Sequence, residues 1–211
     1  MPPRAFGQTL ARVTRMAHLP APGIIQLMQR NIATIISRIF EPLLSMTFVL
    51  ILISLQAGLT LRQTLLWLTL FIVPPTVLRL WAKKTYGLDW DIKERRRRIV
   101  PLAVLLGFIV IDIFLLRFFG PPALVPLLLL FLLWAIGFFL ITLVTKISGH
   151  TSGNALATGL VIQWLGWGWW PVLLIVPLVG WARVKTGNHT VAQVIMGAVY
   201  SWGLLQLVTL V

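Results

Sequence analysis

Between residues 24 and 40 the apolar positions recur with a helical period. Ile24, Ile25, Met28, Ile32, Ile35, Ile36 and Ile39 fall on one face of a helical wheel, and Arg30, Thr34, Ser37 and Arg38 fall on the other. That pattern predicts an amphipathic helix lying in a membrane interface. Beyond residue 41 the amphipathic pattern gives way to apolar runs close to or above the ~18 residues that cross a hydrocarbon core. These predict seven spans, at about 42–60, 61–82, 99–119, 122–144, 151–166, 169–184 and 190–211. Pro74-Pro75 is expected to kink the second span. Gly120-Pro121-Pro122 predicts a tight turn between the third and fourth. The fifth and sixth spans are short and join through the aromatic stretch Gly166-Trp167-Gly168-Trp169-Trp170-Pro171, a composition suited to a membrane–water boundary. The chain therefore divides into a basic arm with its interfacial helix (1–41) and a transmembrane domain (42–211).

Composition agrees. Of 211 residues, 58% are hydrophobic and only 11% charged, and the mean hydropathy is +0.92. A soluble domain exposes far more charge. In hydrocarbon a spanning segment must satisfy its own backbone hydrogen bonds, which favours helices. The expected fold class is an all-α, polytopic membrane helix bundle of about six or seven spans. The N-terminus is basic without a continuous apolar core in its first 20 residues, so no signal peptide is expected. With no cysteine, the chain has no disulfide, thiolate chemistry or cysteine-ligated metal.

The net charge of +13 changes the picture through its placement. Seven crossings put the loops 83–98, 145–150 and 184–189 on one side, together with the N-terminal arm. Counted with Arg79 and Arg183 at the helix ends that lead into those loops, sixteen of the eighteen Lys and Arg fall there, leaving Arg62 and Arg117 near the other side. Basic loops meet anionic headgroups, so the partners expected are the bilayer and a lipid substrate rather than nucleic acid, with a homo-oligomer or larger membrane complex left open. The positive-inside rule makes this the cytoplasmic side of a bacterial or archaeal plasma membrane.

The same side carries the chemistry-bearing residues. Arg95 to Arg98 are four consecutive arginines able to grip phosphate; Asp89 and Asp91 beside them suit orienting those cations better than holding a divalent ion. His150 opens the fifth span behind Lys146-Ile147-Ser148-Gly149. Glycine lets backbone N–H groups approach an anion, and a helix start adds a favourable dipole. His189 opens the last span, six residues after Arg183, and Gln193 lies one turn further on the same helical face. Gln193 can accept from one imidazole nitrogen and leave the other to attack. Asp112 and Arg117 are the charges inside the third span, where a buried charge pairs locally or serves a function. His18 has no neighbour that suggests chemistry.

Ile147-Ser148-Gly149-His150 resembles the Pro-Ser-Gly-His motif of the type 2 phosphatidic acid phosphatases, the lipid phosphatases related to vanadium haloperoxidases. Ala182-Arg183, five residues, His189, three residues, Gln193 is similar to that family's Ser-Arg, five residues, His, three residues, Asp. Gln replaces Asp in branches acting on polyprenyl diphosphates, and His189-Thr190-Val191-Ala192-Gln193-Val194 followed by Gly197 is similar to theirs. The resemblance covers roughly residues 83–211. The first motif, Lys, six residues, Arg-Pro, is absent in that form, and Lys93, Arg95 and Arg98 ahead of Pro101 are its nearest substitutes, with Lys146 as a further cation.

The resemblance implies a metal-independent, cofactor-free displacement at phosphorus. His189 is then the nucleophile, His150 the acid for the leaving group, and Arg183 with the Ser148-Gly149 backbone the stabiliser of the phosphoryl oxygens. The expected activity is hydrolysis of a lipid phosphomonoester or polyprenyl diphosphate through a phosphohistidine. The alternative is a catalytically degenerate subunit that binds phospholipid or scaffolds a membrane complex. A transporter would show paired broken helices near the midplane.

Overall fold

The computed structural model describes residues 23–86, 92 and 94–209. It is a helix bundle, with no strand among those residues. The amphipathic helix α1 spans Ile24–Ile39 and is followed by α2 (Pro42–Gln56), α3 (Leu61–Tyr86), α4 (Ile99–Phe119) and α5 (Val125–Val144). The C-terminal part holds α6 (Gly149–Leu165), α7 (Ile175–Lys185) and α8 (Val191–Thr209). Short 3-10 turns at Arg96–Arg98, Pro122–Leu124 and Trp167–Leu174 lead into α4, α5 and α7. The stretches Ile24–Gln56, Leu61–Trp81, Arg96–Phe119, Pro122–Val144, Trp167–Lys185 and Val191–Val208 are long and apolar enough to cross a membrane. The protein is thus a polytopic membrane helix bundle. The seven predicted spans fall on the helices α2–α8, of which α6, with 17 residues, is not among those six stretches. The arm before residue 23, with His18, and the pair Asp89 and Asp91 lie outside the described residues.

Several helices are short, and α7, with 11 residues, is lengthened by the 3-10 segment before it. At 1.5 Å per residue, α2 and α6 reach only ~22 and ~25 Å, below the ~30 Å of a hydrocarbon core. Glu41 sets the break between α1 and α2. Its backbone is extended, its carboxylate accepts from the Leu43 N–H at 3.2 Å, and Pro42 occupies the first helical position, where a missing N–H costs nothing. α3 runs on through Pro74 and Pro75. Those prolines remove two N–H donors from its interior, yet helical geometry resumes on both sides.

α6 is the axis of the bundle. Thr151 to Thr158 are buried without interruption. α2 and α8 both run parallel to it. Ser45 meets Asn154 near the start of α2 and Val49 and Ile53 meet Leu160 further along. Gly197 lies against Ser148 and Ser152, and Gly159 against Trp202 and Leu205. Small residues allow this approach, as is usual between membrane helices. α5 returns antiparallel: Trp134 Nε1 donates to Ser152 Oγ (3.0 Å) and Ser201 Oγ (2.9 Å), and Tyr200 OH donates to the Trp134 carbonyl (2.6 Å). These directions gather the starts of α2, α4, α6 and α8 and the ends of α3, α5 and α7 at one end of the bundle. Arg62 and Arg117 stand at the other.

Candidate active site

His189 is brought to Arg183 by the way α7 stops. Gly187 adopts a left-handed φ of +70°, which glycine tolerates without a Cβ penalty. Its N–H bonds the Val184 carbonyl (2.9 Å) and the Asn188 N–H returns to the Arg183 carbonyl (3.1 Å). That pair of bonds is a Schellman closure. The His189 N–H also reaches the Arg183 carbonyl, at 3.2 Å. Five intervening residues thus fold into one turn, and the arginine and histidine end side by side, both buried (3% and 7% exposed).

Helix α8 opens on a capping box. Gln193 N donates to Thr190 Oγ1 and Thr190 N donates to Gln193 Oε1, both at 3.3 Å. Gln193 Oε1 also lies 3.0 Å from His189 Nδ1. A backbone N–H only donates, so the atom facing Thr190 is the amide oxygen, and the imidazole sharing it must carry its proton on Nδ1. Nε2 is left with a lone pair. The one glutamine both starts the helix and sets the tautomer.

The other loops close around this turn. Lys146 Nζ donates to the Asn188 carbonyl at 2.8 Å. Arg98 donates from Nε to the Ile92 carbonyl (2.7 Å) and from its terminal nitrogen to the Ile147 carbonyl (3.3 Å). Ser148 N donates to the Gln193 carbonyl (3.1 Å), which ties the start of α6 to the start of α8. Ser148 Oγ caps α6 by accepting from Thr151 N at 3.3 Å. The Ser148 N–H is thereby used within the protein, and its hydroxyl also lies 2.9 Å from Thr151 Oγ1. Gly149, at the first position of α6, brings the unpaired N–H of a helix start. His150 follows at the second position, and its carbonyl accepts from Asn154 Nδ2 at 2.8 Å.

The electrostatics are those of an anion site. Burial lowers the His189 pKa to about 4; the charges of Lys146, Arg183 and Arg98, in that order, add to the effect, and the Gln193 hydrogen bond opposes it. Three cations, from the turn before α4, the loop before α6 and the last turn of α7, converge on one neutral imidazole at the positive end of a helix dipole. The described residues contain no group of three His, Asp or Glu arranged to hold a metal ion.

Among the expected site residues, the structure gathers His189, Arg183, Gln193, Lys146, Arg98, Ser148 and Gly149, with His150 on the first turn of the same helix start. Arg95 is engaged elsewhere. It donates to the Thr142 carbonyl at 3.4 Å and to the Leu143 carbonyl, closing the end of α5. Lys93 lies outside the described residues. Asp112 is buried in α4 ~20 Å along its axis from the basic end, away from the cluster. Three residues enter that sequence reasoning missed: Thr190, Asn154 and Ser37. Thr190 was legible as the first residue of a Thr-x-x-Gln box. Asn154 and Ser37 act on partners more than a hundred positions away and left no local sign. No protein-family model, curated protein or solved structure matches the chain.

Proposed function

We propose that the protein is an integral-membrane phosphatase for a lipid-linked phosphomonoester or diphosphate, working through a phosphohistidine. The observation that carries the reading is the neutral, Nδ1-protonated His189 held within a ring of three cations. The phosphate of the substrate sits among Arg183, Lys146, Arg98 and the Gly149 N–H. The Nε2 lone pair of His189 attacks phosphorus in line, and the P–O bond to the lipid breaks as His150 delivers a proton to the departing oxygen. Water, deprotonated by His150, then attacks the phosphohistidine. Inorganic phosphate leaves and both imidazoles return to their starting states. Charge accumulating on the phosphoryl oxygens is met by fixed cations in a buried setting, where electrostatic stabilisation is strongest. The hydrocarbon tail stays in the bilayer beside the helices. The crowding of cations at this end of the bundle supports a cytoplasmic site.

Purified protein in lipid nanodiscs, supplied with phosphatidic acid, phosphatidylglycerol phosphate and a polyprenyl diphosphate, is expected to release phosphate and to be inhibited by vanadate. His189→Ala is expected to abolish turnover. Phosphate release undiminished in that variant overturns the mechanism. Complete inactivity of the wild-type protein on the panel, with retained binding of anionic lipid, supports the degenerate, phospholipid-binding scaffold instead.

A further inference from the structure

Helix α1 turns its apolar face outward, which a surface helix of a water-soluble protein does not do. Ile24, Ile25, Met28, Ile32, Ile35 and Ile39 point outward, while Ala33 and Ser37, one turn apart, are buried where the helix packs on α7. A narrow stripe of small residues therefore faces protein, Arg30 and Arg38 stay exposed, and the apolar side is left for lipid. Ser37 Oγ accepts a hydrogen bond of 2.9 Å from a terminal nitrogen of Arg183, across 146 positions of sequence. A hydroxyl inside a helix ordinarily turns back on the carbonyl four residues earlier, as Thr34 does toward Arg30 (2.8 Å). Ser37 instead spends its oxygen on the guanidinium. Two further ties hold the helix in place. Lys185 Nζ donates to Gln29 Oε1 at 3.2 Å, and Asn154, itself buried, donates to the Phe40 carbonyl at 2.9 Å just past the end of α1.

An arginine side chain has four rotatable bonds, and its use in phosphate recognition depends on where its planar fork points. A fixed acceptor on one nitrogen of a buried guanidinium decides that direction for the others. We propose that Ser37 is a positioning residue that aims Arg183 at the anion bound before His189. Helix α1, seated with its apolar face in lipid, carries the serine there, so the site is complete only while α1 is docked on α7. The proposal rests on the lipid phosphatase reading for the identity of the anion, and its test does not need turnover.

The full-length wild type, Ser37→Ala, Ser37→Thr, Arg183→Lys and the Ser37→Ala/Arg183→Lys double variant are compared in nanodiscs by calorimetric binding of inorganic vanadate. Ser37→Ala is expected to weaken vanadate binding about tenfold or more, the size of losing a hydrogen bond to a charged group. Ser37→Thr, which keeps the hydroxyl, is expected to stay within about twofold of wild type. In the Arg183→Lys background the serine change is expected to add less than about twofold, because its effect runs through the guanidinium. Ala33→Leu, which pushes α1 away from α7, is expected to reproduce the Ser37→Ala loss and to add little to it. Independent, multiplying losses for Ser37→Ala and Arg183→Lys overturn the proposal, as does wild-type affinity in Ser37→Ala. Vanadate affinities that follow the expected pattern in a protein inert toward every lipid phosphate uphold the positioning role while refuting the phosphatase reading.

Discussion

At the residue scale, His189 and Gln193 set the chemistry. An imidazole with its pKa lowered from 6.5 to about 4 is neutral in the folded state and binds a proton more readily once unfolded. Its contribution to stability is therefore intact above pH 6.5 and is lost as pH falls toward 4. The shift corresponds to about 3 kcal/mol. Thermal unfolding in detergent is expected to show a steeper fall in Tm across that window for the wild type than for His189→Gln, and parallel curves would refute the buried neutral state. Side-chain nitrogen NMR of His189 is expected to report an Nδ1-protonated neutral ring at pH 6. Gln193→Leu removes both the acceptor for that proton and half of the capping box. It is expected to cost about 1 kcal/mol of stability and to lower kcat by about tenfold or more. The pairing of His189 with Gln193 was legible from their spacing of four on one helical face. The low pKa was not, because it depends on burial and on cations from other loops.

At the element scale, two glycines carry the geometry. Gly187 closes α7 in a left-handed conformation. Gly187→Ala is expected to cost about 1 kcal/mol through backbone strain and Gly187→Asn less, since asparagine tolerates that region. A Cβ on Gly197 meets the Ser148 carbonyl at 2.8 Å and the Ser152 nitrogen at 3.3 Å, both backbone atoms of the site-bearing segment. Gly197→Ala must therefore spread α6 from α8, with a stability loss of about 1–3 kcal/mol and a matching loss of vanadate binding. Gly203 on the same helix meets nothing, and Gly203→Ala is expected to be neutral or mildly stabilising in the same unfolding assay. The helix positions themselves were readable from apolar periodicity. The face that α1 turns inward was not, since a helical wheel separates polar from apolar residues without saying whether the apolar side meets protein or lipid.

At the scale of the whole molecule, the bundle places the basic loops together at one end and Arg62 and Arg117 at the other. The chain has no cysteine, so single introduced cysteines report sidedness without a background. Glu94→Cys, at the site end, is expected to resist a membrane-impermeant thiol reagent in intact cells, and Ala57→Cys, at the opposite end, to react. The reverse pattern would place the site on the outer face. Against seven predicted crossings, six stretches are long and apolar enough to span a membrane, and α6, with 17 residues, is not one of them. The shortness of α6 was legible in its apolar run, whereas that of α2 emerges only where Glu41 and Ala57 set its limits.

The amino-acid sequence by itself determined that this is a helical membrane protein, where its helices lie, and which histidines, arginine and glutamine stand at its basic boundaries. Those properties follow from local periodicity, run length and short-range spacing, which need no partner to be read. Tertiary structure alone decided that Arg98 and the loops 145–148 and 186–190 interlock around His189, that Arg95 turns to the end of α5, and that Ser37 reaches Arg183. Such contacts join residues far apart in the chain, and their existence depends on how whole helices pack.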